Sequence, residues 1–134
     1  MKLLIHALLG TTLSLLLLSQ QTLADANSQL DGYRQQGAGP FSAEASERLW
    51  SSTSSNQEQS GRSCTQCHGK DPAQPGKHIK TGKVIEPMAV RSNPQRFSDA
   101  KFSEKWFLRN CKWTLGRECS AQEKGDVITW LNQY

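Results

Sequence analysis

The sequence predicts an all-α fold, and three observations support this class. In several segments apolar residues recur at spacings of three and four, which is the period of an amphipathic helix. Helix-capping residues precede several of these segments. No segment alternates apolar and polar residues in the way that a half-buried strand does, and the chain contains no internal repeat.

The first two predicted helices are short. The first covers residues 29–36 and ends where Gly37 begins a turn that contains glycine and proline. Ser42 can cap the second helix, with Glu44 near its positive end. Three residues form the apolar side of this helix: Ala45, Leu49 and Trp50. The serine-rich residues 51–63 follow without any apolar period and are predicted to form a mobile surface loop.

The third and fourth helices lie near the C-terminus. The Ser98-Asp99 pair opens the third helix, which is predicted to stop near Asn110. Its residues at helical spacing are Phe102, Trp106 and Arg109. Ser120-Ala121-Gln122-Glu123 is a capping box for the fourth helix. An apolar series at spacings of three and four then follows: Val127, Trp130, Leu131 and Tyr134.

The first 24 residues have the organisation of a secretory signal peptide. Lys2 is a short positive region, the apolar stretch that follows is densest at residues 15–18, and small residues favour cleavage after Ala24, with Ala26 as the second choice. A membrane anchor is the alternative, but polar residues interrupt the apolar run. We therefore expect a signal peptide at 1–24 and a single periplasmic domain at 25–134 that does not span the membrane.

The composition of the expected mature chain excludes several classes of protein. The 134 residues contain 16 Lys and Arg against 12 Asp and Glu, and removal of Lys2 leaves 15 against 12, a net charge of +3. This length excludes a multidomain enzyme and a long solenoid. The scattered positive charges exclude a nucleic-acid binder with a concentrated basic stripe. A domain this small has a modest core, which a disulfide or an embedded cofactor stabilises. Export places the cysteines in an oxidising compartment, so each is expected to be paired or to form another covalent bond.

The segment Cys64-Thr65-Gln66-Cys67-His68 has the C-x-x-C-H pattern that attaches c-type haem. On a turn leading into a helix, two cysteines three positions apart can present their sulfurs to the two vinyl groups of one porphyrin. The next residue, His68, then lies under the iron and can donate a ring nitrogen. The thioether bonds make the cofactor permanent, and the haem supplies much of the core that a short chain lacks.

A thiol redox centre, a zinc site and a plain disulfide all fit this motif less well than haem does. A thioredoxin-like C-x-x-C requires a βαβ context that the sequence does not show. A structural zinc site needs a second ligand pair close by, whereas Cys111 and Cys119 are distant from the motif and too widely spaced. A disulfide within the motif would leave His68 without a role.

Further stretches accompany the motif: residues 81–83, 94–97, 104–111, 116–119, 123–124 and 130–131. With them the chain resembles the oxygen-binding c-type cytochromes of the sphaeroides haem protein type. The resemblance covers most of the mature chain and is strongest over residues 63–131. It implies a monohaem fold similar to that of class I cytochromes c, with His68 as the proximal ligand.

The resemblance also implies an unusual distal side. In that family an asparagine just before a small disulfide loop coordinates ferric iron, and here this residue is Asn110, with Cys111 and Cys119 forming the disulfide. An electron supply from a dihaem cytochrome c and a membrane cytochrome b is implied as well. Two features depart from the pattern: Ser46 replaces a glycine at the crossing of the first and last helices, and the loop of residues 51–63 differs in composition.

Three residues compete for the distal position: His78, Met88 and Asn110. His78 lies in a polar, basic loop and is expected to be exposed to solvent. Met88 follows Pro87 in the manner of the proximal packing element of class I cytochromes, in which the proline carbonyl accepts a hydrogen bond from the histidine ligand. Asn110 lies 42 residues after His68, within the class I range, although an asparagine is also common at a helix C-terminus.

The chemistry of an amide ligand distinguishes two functions. An amide oxygen is a hard, neutral and weak donor that suits ferric iron, so reduction should release Asn110 and let O₂, NO or CO compete for its position. The alternative is a six-coordinate electron shuttle with Met88 as ligand. Catalysis is not predicted, because it requires a distal proton donor. The mature chain has only His68, which is used on iron, and His78, and nothing in the sequence shows Arg109 facing the haem. We assign Trp106 to the core and regard Trp113 as a candidate pocket wall.

We predict that Cys64 and Cys67 both carry thioether bonds to one haem. Mass spectrometry of protein matured in a periplasm that assembles c-type cytochromes should show the mass of the mature chain plus one haem. Free thiols at both positions, or zinc bound there, would contradict the assignment.

Overall fold

The computed structural model describes residues 25–134, and the expected signal peptide lies outside this range. Helix α1 covers residues 25–35 of the described chain. The remaining elements are α2 (Ala43–Ser51), a 3₁₀ turn (Gln57–Gln59), α3 (Thr65–His68), β1 (Gly76–Lys77), β2 (Val84–Ile85), α4 (Ala100–Leu115) and α5 (Ala121–Gln133). The all-α class is confirmed. Within residues 25–134 no helix is long and apolar enough to cross a bilayer.

Within residues 25–134, the sequence pattern predicted neither the 3₁₀ turn nor a small antiparallel hairpin. Strands β1 and β2 pair Gly76 with Ile85 and Lys77 with Val84. Each strand has only two residues, so no alternation of apolar and polar side chains can develop in the sequence.

The predicted starts of α2, α4 and α5 are confirmed by their caps, whereas α1 is already helical at residue 25, four residues before its predicted start. The Ser42 side chain accepts the amide of Ala45 at 3.2 Å, and the Asp99 carboxylate accepts the amide of Phe102 at 3.0 Å. The capping box of α5 is complete, because Ser120 and Glu123 each bind the other's backbone amide. These caps satisfy amides that have no partner within their own helix.

The predicted end of the third helix is wrong by five residues. Helix α4 continues through Asn110 to Leu115 and stops at Gly116, which has φ 72° and ψ 10°. Glycine adopts this left-handed conformation without a steric penalty, and its amide donates to the carbonyl of Lys112 at 3.1 Å. Asn110 is therefore an interior residue of α4 and not a terminal asparagine.

Helix α5 supplies the centre of the hydrophobic core. Its residues Ile128 and Leu131 are completely buried. Trp130 packs edge-to-face on Trp50 of α2, with 5.3 Å between the ring centroids. Helix α2 packs against α5, and Ser46 on α2 has no exposed surface. The packing thus accommodates a serine at the position where the family pattern has a glycine.

Close approach of the chain to α5 depends on Gly125. A Cβ atom at this position would overlap the ring of Phe41. The backbone before α2 is attached to the same helix, since the amide of Ser42 donates to Asp126 Oδ1 at 2.7 Å and the amide of Gly39 donates to Gln122 Oε1 at 2.6 Å. The turn between α1 and α2 is thereby held against the start of α5.

A polar cluster joins α4 to α1 and α5. The Tyr33 hydroxyl of α1 donates a short hydrogen bond to the Glu104 carboxylate of α4. Nζ of Lys124 on α5 lies 2.6 Å from the second oxygen of the same carboxylate. Burial, followed by the contact with Glu104, raises the pKa of Tyr33, so its hydroxyl stays protonated and remains a donor.

The loop of residues 51–63 lies mostly on the surface, as predicted, but it also makes contacts that its composition does not indicate. Asn56 caps the 3₁₀ turn by accepting the amide of Glu58 at 3.0 Å. The amide of Ser54 donates to the carbonyl of Arg62 at 2.9 Å and closes the loop on itself. Gln59 lies against Gly116, where a Cβ atom would be only 2.5 Å from its Oε1. Polar contacts therefore order a segment that has no apolar residues to bury.

We predict that Gly125→Ala destabilises the haem-loaded protein by about 1–3 kcal/mol, because the added methyl group displaces the Phe41 ring. Gly32→Ala is the matched control, since no atom lies within 4 Å of a Cβ placed on this residue of α1. The control should be neutral or stabilising by up to about 1 kcal/mol. Urea unfolding measures both, and equal effects would refute the importance of the close contact.

Candidate functional site

Helix α3 presents the C-x-x-C-H motif as a single helical turn. The amides of Cys67 and His68 donate to the carbonyl of Cys64 at 3.3 and 3.0 Å. Side chains three and four positions apart in a helix lie on the same face. Both thiols are free and partly buried. The structure therefore brings together the three predicted haem-binding residues.

The imidazole of His68 is packed against the core. The ring centroid of Trp50 lies 5.3 Å from that of His68, and Trp50 Nε1 donates to the carbonyl of Gly69 at 2.9 Å. Burial, and secondarily the guanidinium of Arg96, lowers the pKa of His68 to about 4. The imidazole is thus neutral at neutral pH, as a metal ligand requires. Its buried Nδ1 has no hydrogen-bond partner within residues 25–134.

The surroundings of the cysteines do not provide a zinc site. Burial raises the pKa of the Cys64 thiol to about 11, so without a metal this side chain is protonated at neutral pH. A structural zinc site needs four ligands. In the part of the chain that the structure describes, no three His, Cys, Asp or Glu side chains are grouped closely enough to hold a metal ion.

The predicted hydrogen bond from His68 to the carbonyl of Pro87 is not formed. This carbonyl accepts Arg96 Nη2 at 2.8 Å and Asn93 Nδ2 at 3.2 Å. Arg96 Nη2 also donates to the carbonyl of Glu86 at 3.3 Å. A guanidinium offers several donors in a fixed plane, and here it occupies the acceptor that the sequence pattern assigned to the histidine.

The two other candidates for the distal position have structural contacts of their own. Met88 packs against the hydrophobic core, and its amide donates to the carbonyl of Pro72 at 2.8 Å. His78 is exposed, as predicted, and its Nδ1 accepts the amides of Lys80 and Thr81 at 3.3 and 3.2 Å. Met88 is thus a packing residue and His78 stabilises a turn.

The assignment of Trp106 to the core is wrong. Its side chain is 40% exposed and packs edge-to-face on Phe102, which is 51% exposed. The guanidinium of Arg109 lies 5.1 Å from the Trp106 ring centroid. Trp106 lies in α4 at the predicted helical spacing from Phe102. Spacing alone does not show which face of a helix meets the core. Ser103, Cys111 and Thr114 are the buried residues of α4.

Asn110 lies on the same side of α4 as this aromatic face. It follows Trp106 by four residues, which places the two side chains on neighbouring positions of the helix surface. Asn110 is exposed, and its side-chain amide makes no hydrogen bond within the described residues. The next residue, Cys111, is buried and forms the predicted disulfide with Cys119, which is confirmed. A free amide group is thus held next to a covalent cross-link.

Arg62 connects the haem motif to the helix that carries Asn110. Its Nη1 donates to the carbonyl of Trp113 at 2.9 Å, and its guanidinium lies 4.8 Å from the Trp113 ring centroid. This carbonyl is in the last turn of α4, where no intrahelical amide follows to bind it. Arg62 stands two residues before Cys64, so one side chain links α4 to the segment that begins the motif. The sequence offered no signal for this contact.

These residues fit a covalently attached haem. The motif provides two free thiols on one face of a helical turn and a buried neutral imidazole with a nitrogen that lacks a partner within residues 25–134. Helix α4 provides an exposed aromatic surface and an unbonded amide oxygen, whose polarity suits an iron ligand. Haem would cover apolar surface that a small domain otherwise leaves in water.

Comparison with known proteins supports this site. Residues 36–131 match the family model described as a domain of unknown function, DUF1924. The chain is 40% identical over 100 residues to the cytochrome c-type protein SHP of Cereibacter sphaeroides, which covers 75% of this chain and 77% of that protein. It is 44% identical over 68 residues to cytochrome c'' of Methylophilus methylotrophus, which covers 51% of this chain and 47% of that protein.

Solved structures of the same two proteins resemble this fold. Oxidised SHP, an oxygen-binding cytochrome c, superposes with a TM-score of 0.73 at 36% identity, covering 81% of this chain and 96% of that one. Oxidised cytochrome c'' gives 0.70 at 31% identity, with coverage of 81% and 93%. A solution structure of cytochrome c'', which concerns haem-ligand detachment, gives 0.70 at 30% identity with the same coverage.

We predict that Arg62→Ala loosens the C-terminal turn of α4 and lowers the free energy of unfolding by about 1–3 kcal/mol, because it leaves a carbonyl without its charged donor. Hydrogen exchange should accelerate at the amides of residues 113–117. Arg48→Ala is the control, since Arg48 forms only an exposed ion pair with Glu44 at 3.9 Å. Unchanged exchange in the Arg62 variant would show that the contact does not hold the helix.

Proposed function

This chain belongs to the SHP type of c-type cytochromes, and on that premise we propose that it is a periplasmic electron carrier with a redox-dependent distal ligand, Asn110. Its cofactor is a covalently bound haem c with iron. When bound, haem c would supply a one-electron iron centre whose ferrous form would take small diatomic molecules such as O₂, NO or CO. The proposal assigns residues 1–24 to a signal peptide and residues 25–134 to one mature domain.

In the proposed assignment, Cys64 and Cys67 each form one thioether bond and His68 is the proximal ligand. Trp50 restrains the imidazole, since it packs against the His68 ring and is itself fixed by a hydrogen bond to the next residue, Gly69. Burial keeps the imidazole neutral and therefore able to donate to a metal. The environment of Cys64 keeps its thiol protonated until it reacts.

The distal assignment is supported chiefly by one observation: the Asn110 side-chain amide is exposed, unbonded within the described residues and next to the Cys111–Cys119 disulfide. An amide oxygen is a hard donor, so Asn110 would bind ferric iron better than ferrous iron. Reduction would therefore favour release of the Asn110 side chain. The solution structure of cytochrome c'', a relative in which haem-ligand detachment is described, supports this behaviour.

Two contacts on the C-terminal side of Asn110 limit its movement. The disulfide fixes Cys111, the residue immediately after it, and Arg62 holds the carbonyl of Trp113 one turn further along α4. A disulfide that closes a loop of this size contributes about 2–4 kcal/mol to stability. Release of the ligand therefore involves the Asn110 side chain and a small local shift, and does not require unfolding of α4.

The contacts of Met88 argue against the simple electron shuttle. Its backbone is tied to Pro72, which is completely buried, and its side chain packs against the core. To serve as a ligand, Met88 would have to leave this packing and give up its apolar contacts.

For the electron supply we propose a dihaem cytochrome c and a membrane cytochrome b.

The position of Ala26 favours one site of signal cleavage. Ala26 of α1 is 1% exposed and packs in the hydrophobic core. Cleavage after Ala24 retains this residue, whereas cleavage after Ala26 removes it. We therefore propose Ala24 as the last residue of the signal peptide.

We predict that the ferric protein is six-coordinate and that the ferrous protein is high-spin, five-coordinate and quick to bind CO or NO. Asn110→Ala should open the ferric iron to water or added anions and change the ferrous absorption spectrum little. Met88→Ala is the control and should leave both spectra largely intact. Absorption spectra in both oxidation states, with and without CO, measure these outcomes.

A low-spin ferrous wild type would contradict this mechanism. If Met88→Ala and not Asn110→Ala abolished that low-spin state, the protein would be an ordinary electron carrier with histidine and methionine ligands.

A further inference from the structure

The hairpin of residues 76–85, called here the lysine hairpin, accounts for the net positive charge of residues 25–134. It contains Lys77, Lys80 and Lys83 and no acidic residue. The other basic and acidic side chains of residues 25–134 number twelve each, so outside the lysine hairpin the formal charges balance. None of the ion pairs within the described residues involves these three lysines.

The lysine hairpin also exposes apolar side chains. Ile79 is 54% exposed and Val84 is 63% exposed. They are two of the five large apolar residues that the described chain leaves in solvent, and the other three lie on α4. Apolar side chains surrounded by charged ones are the usual composition of a protein–protein interface, whose centre is apolar and whose rim is polar.

Backbone contacts fix the positions of these lysines. The amide of His78 donates to the carbonyl of Lys83 at 2.8 Å, and the amide of Gly82 donates to the carbonyl of His78 at 2.8 Å. His78 Nδ1 accepts the amides of Lys80 and Thr81. A turn that is already ordered loses little backbone entropy when a partner binds.

The base of the lysine hairpin lies directly on the haem motif. A Cβ atom at Gly76 would overlap the carbonyl of Cys67 and would be 2.9 Å from the Cα of His68. Glycine permits this contact between β1 and α3. The lysines are thus displayed next to the segment that holds the haem, on a short path for an electron.

We propose that the lysine hairpin is the docking surface for a redox protein with an acidic face, an inference that rests on the proposed electron-transfer function. Complementary charge raises the rate of encounter and orients the partner so that its donor group faces the haem motif. An anionic membrane is the weaker alternative, because polybasic membrane segments use four to eight basic residues and the lysine hairpin has three.

The test measures electron transfer into the haem-loaded protein. Stopped-flow reduction by an acidic flavoprotein donor, reduced flavodoxin, is compared for wild type, a hairpin variant (Lys80→Glu with Lys83→Glu) and a matched control (Lys101→Glu with Lys105→Glu). The two variants have the same net charge. The control lysines lie on α4, and neither forms an ion pair within residues 25–134. A neutral hydroquinone serves as a small reductant whose rate does not depend on docking.

At low ionic strength the hairpin variant should be reduced by flavodoxin about tenfold more slowly than wild type, and the control less than about twofold. Raising the salt concentration should remove most of the difference, because it screens exposed charges. Reduction by the hydroquinone should be equal in all three proteins. This equality would show that the haem and its reduction are intact, whatever the docking result.

Three outcomes would overturn the proposal. Equal slowing of both variants would mean that only net charge matters. An unchanged rate in the hairpin variant would place docking elsewhere. Loss of binding to phosphatidylglycerol vesicles in the hairpin variant, with an unchanged rate of reduction by flavodoxin, would assign the surface to a membrane. Failure of both reduced flavodoxin and the hydroquinone to reduce wild type would instead contradict the proposed function itself.

Discussion

The contact between Trp50 and His68 is the interaction on which the site depends. Trp50 touches the imidazole on one side and Trp130 of α5 on another, with ring centroids 5.3 Å apart in both cases, and its indole nitrogen holds the carbonyl of Gly69. One side chain therefore joins the C-x-x-C-H motif to the centre of the core. The same burial keeps the imidazole neutral, because water is excluded from the side on which a charge would need it.

Helix α4 has two faces with different roles. Its buried face carries Cys111, which anchors the helix through the disulfide. Glu104 anchors the helix further, since its carboxylate binds Tyr33 of α1 and Lys124 of α5. Its exposed face carries aromatic residues and Asn110. A helix anchored along one face can present a weak ligand on the other without losing its own position. The proposed release of Asn110 is therefore compatible with the structural stability of a small domain.

The predictions that succeeded rest on residues close together in the chain. Ser42, Asp99 and Ser120 cap helices because a side-chain oxygen reaches an amide two or three residues away. The haem motif is equally local, since one turn of helix places its three functional side chains on one face. The predicted end of α4 is wrong, because Asn110 lies inside the helix and the left-handed Gly116 ends it.

The all-α class, the starts of α2, α4 and α5 and the helical turn of the C-x-x-C-H motif could be predicted from the amino-acid order, because they depend on spacing and on neighbouring groups. Packing between distant segments settled which face of α4 meets the core, and so left Trp106 exposed. The same packing places Arg96 so that it donates to the carbonyl of Pro87. It also places the loop of residues 51–63 against α4, where Arg62 binds a carbonyl 51 positions away in the chain. Such contacts follow from how remote parts of the chain fit together in three dimensions, and no local pattern of residues encodes them.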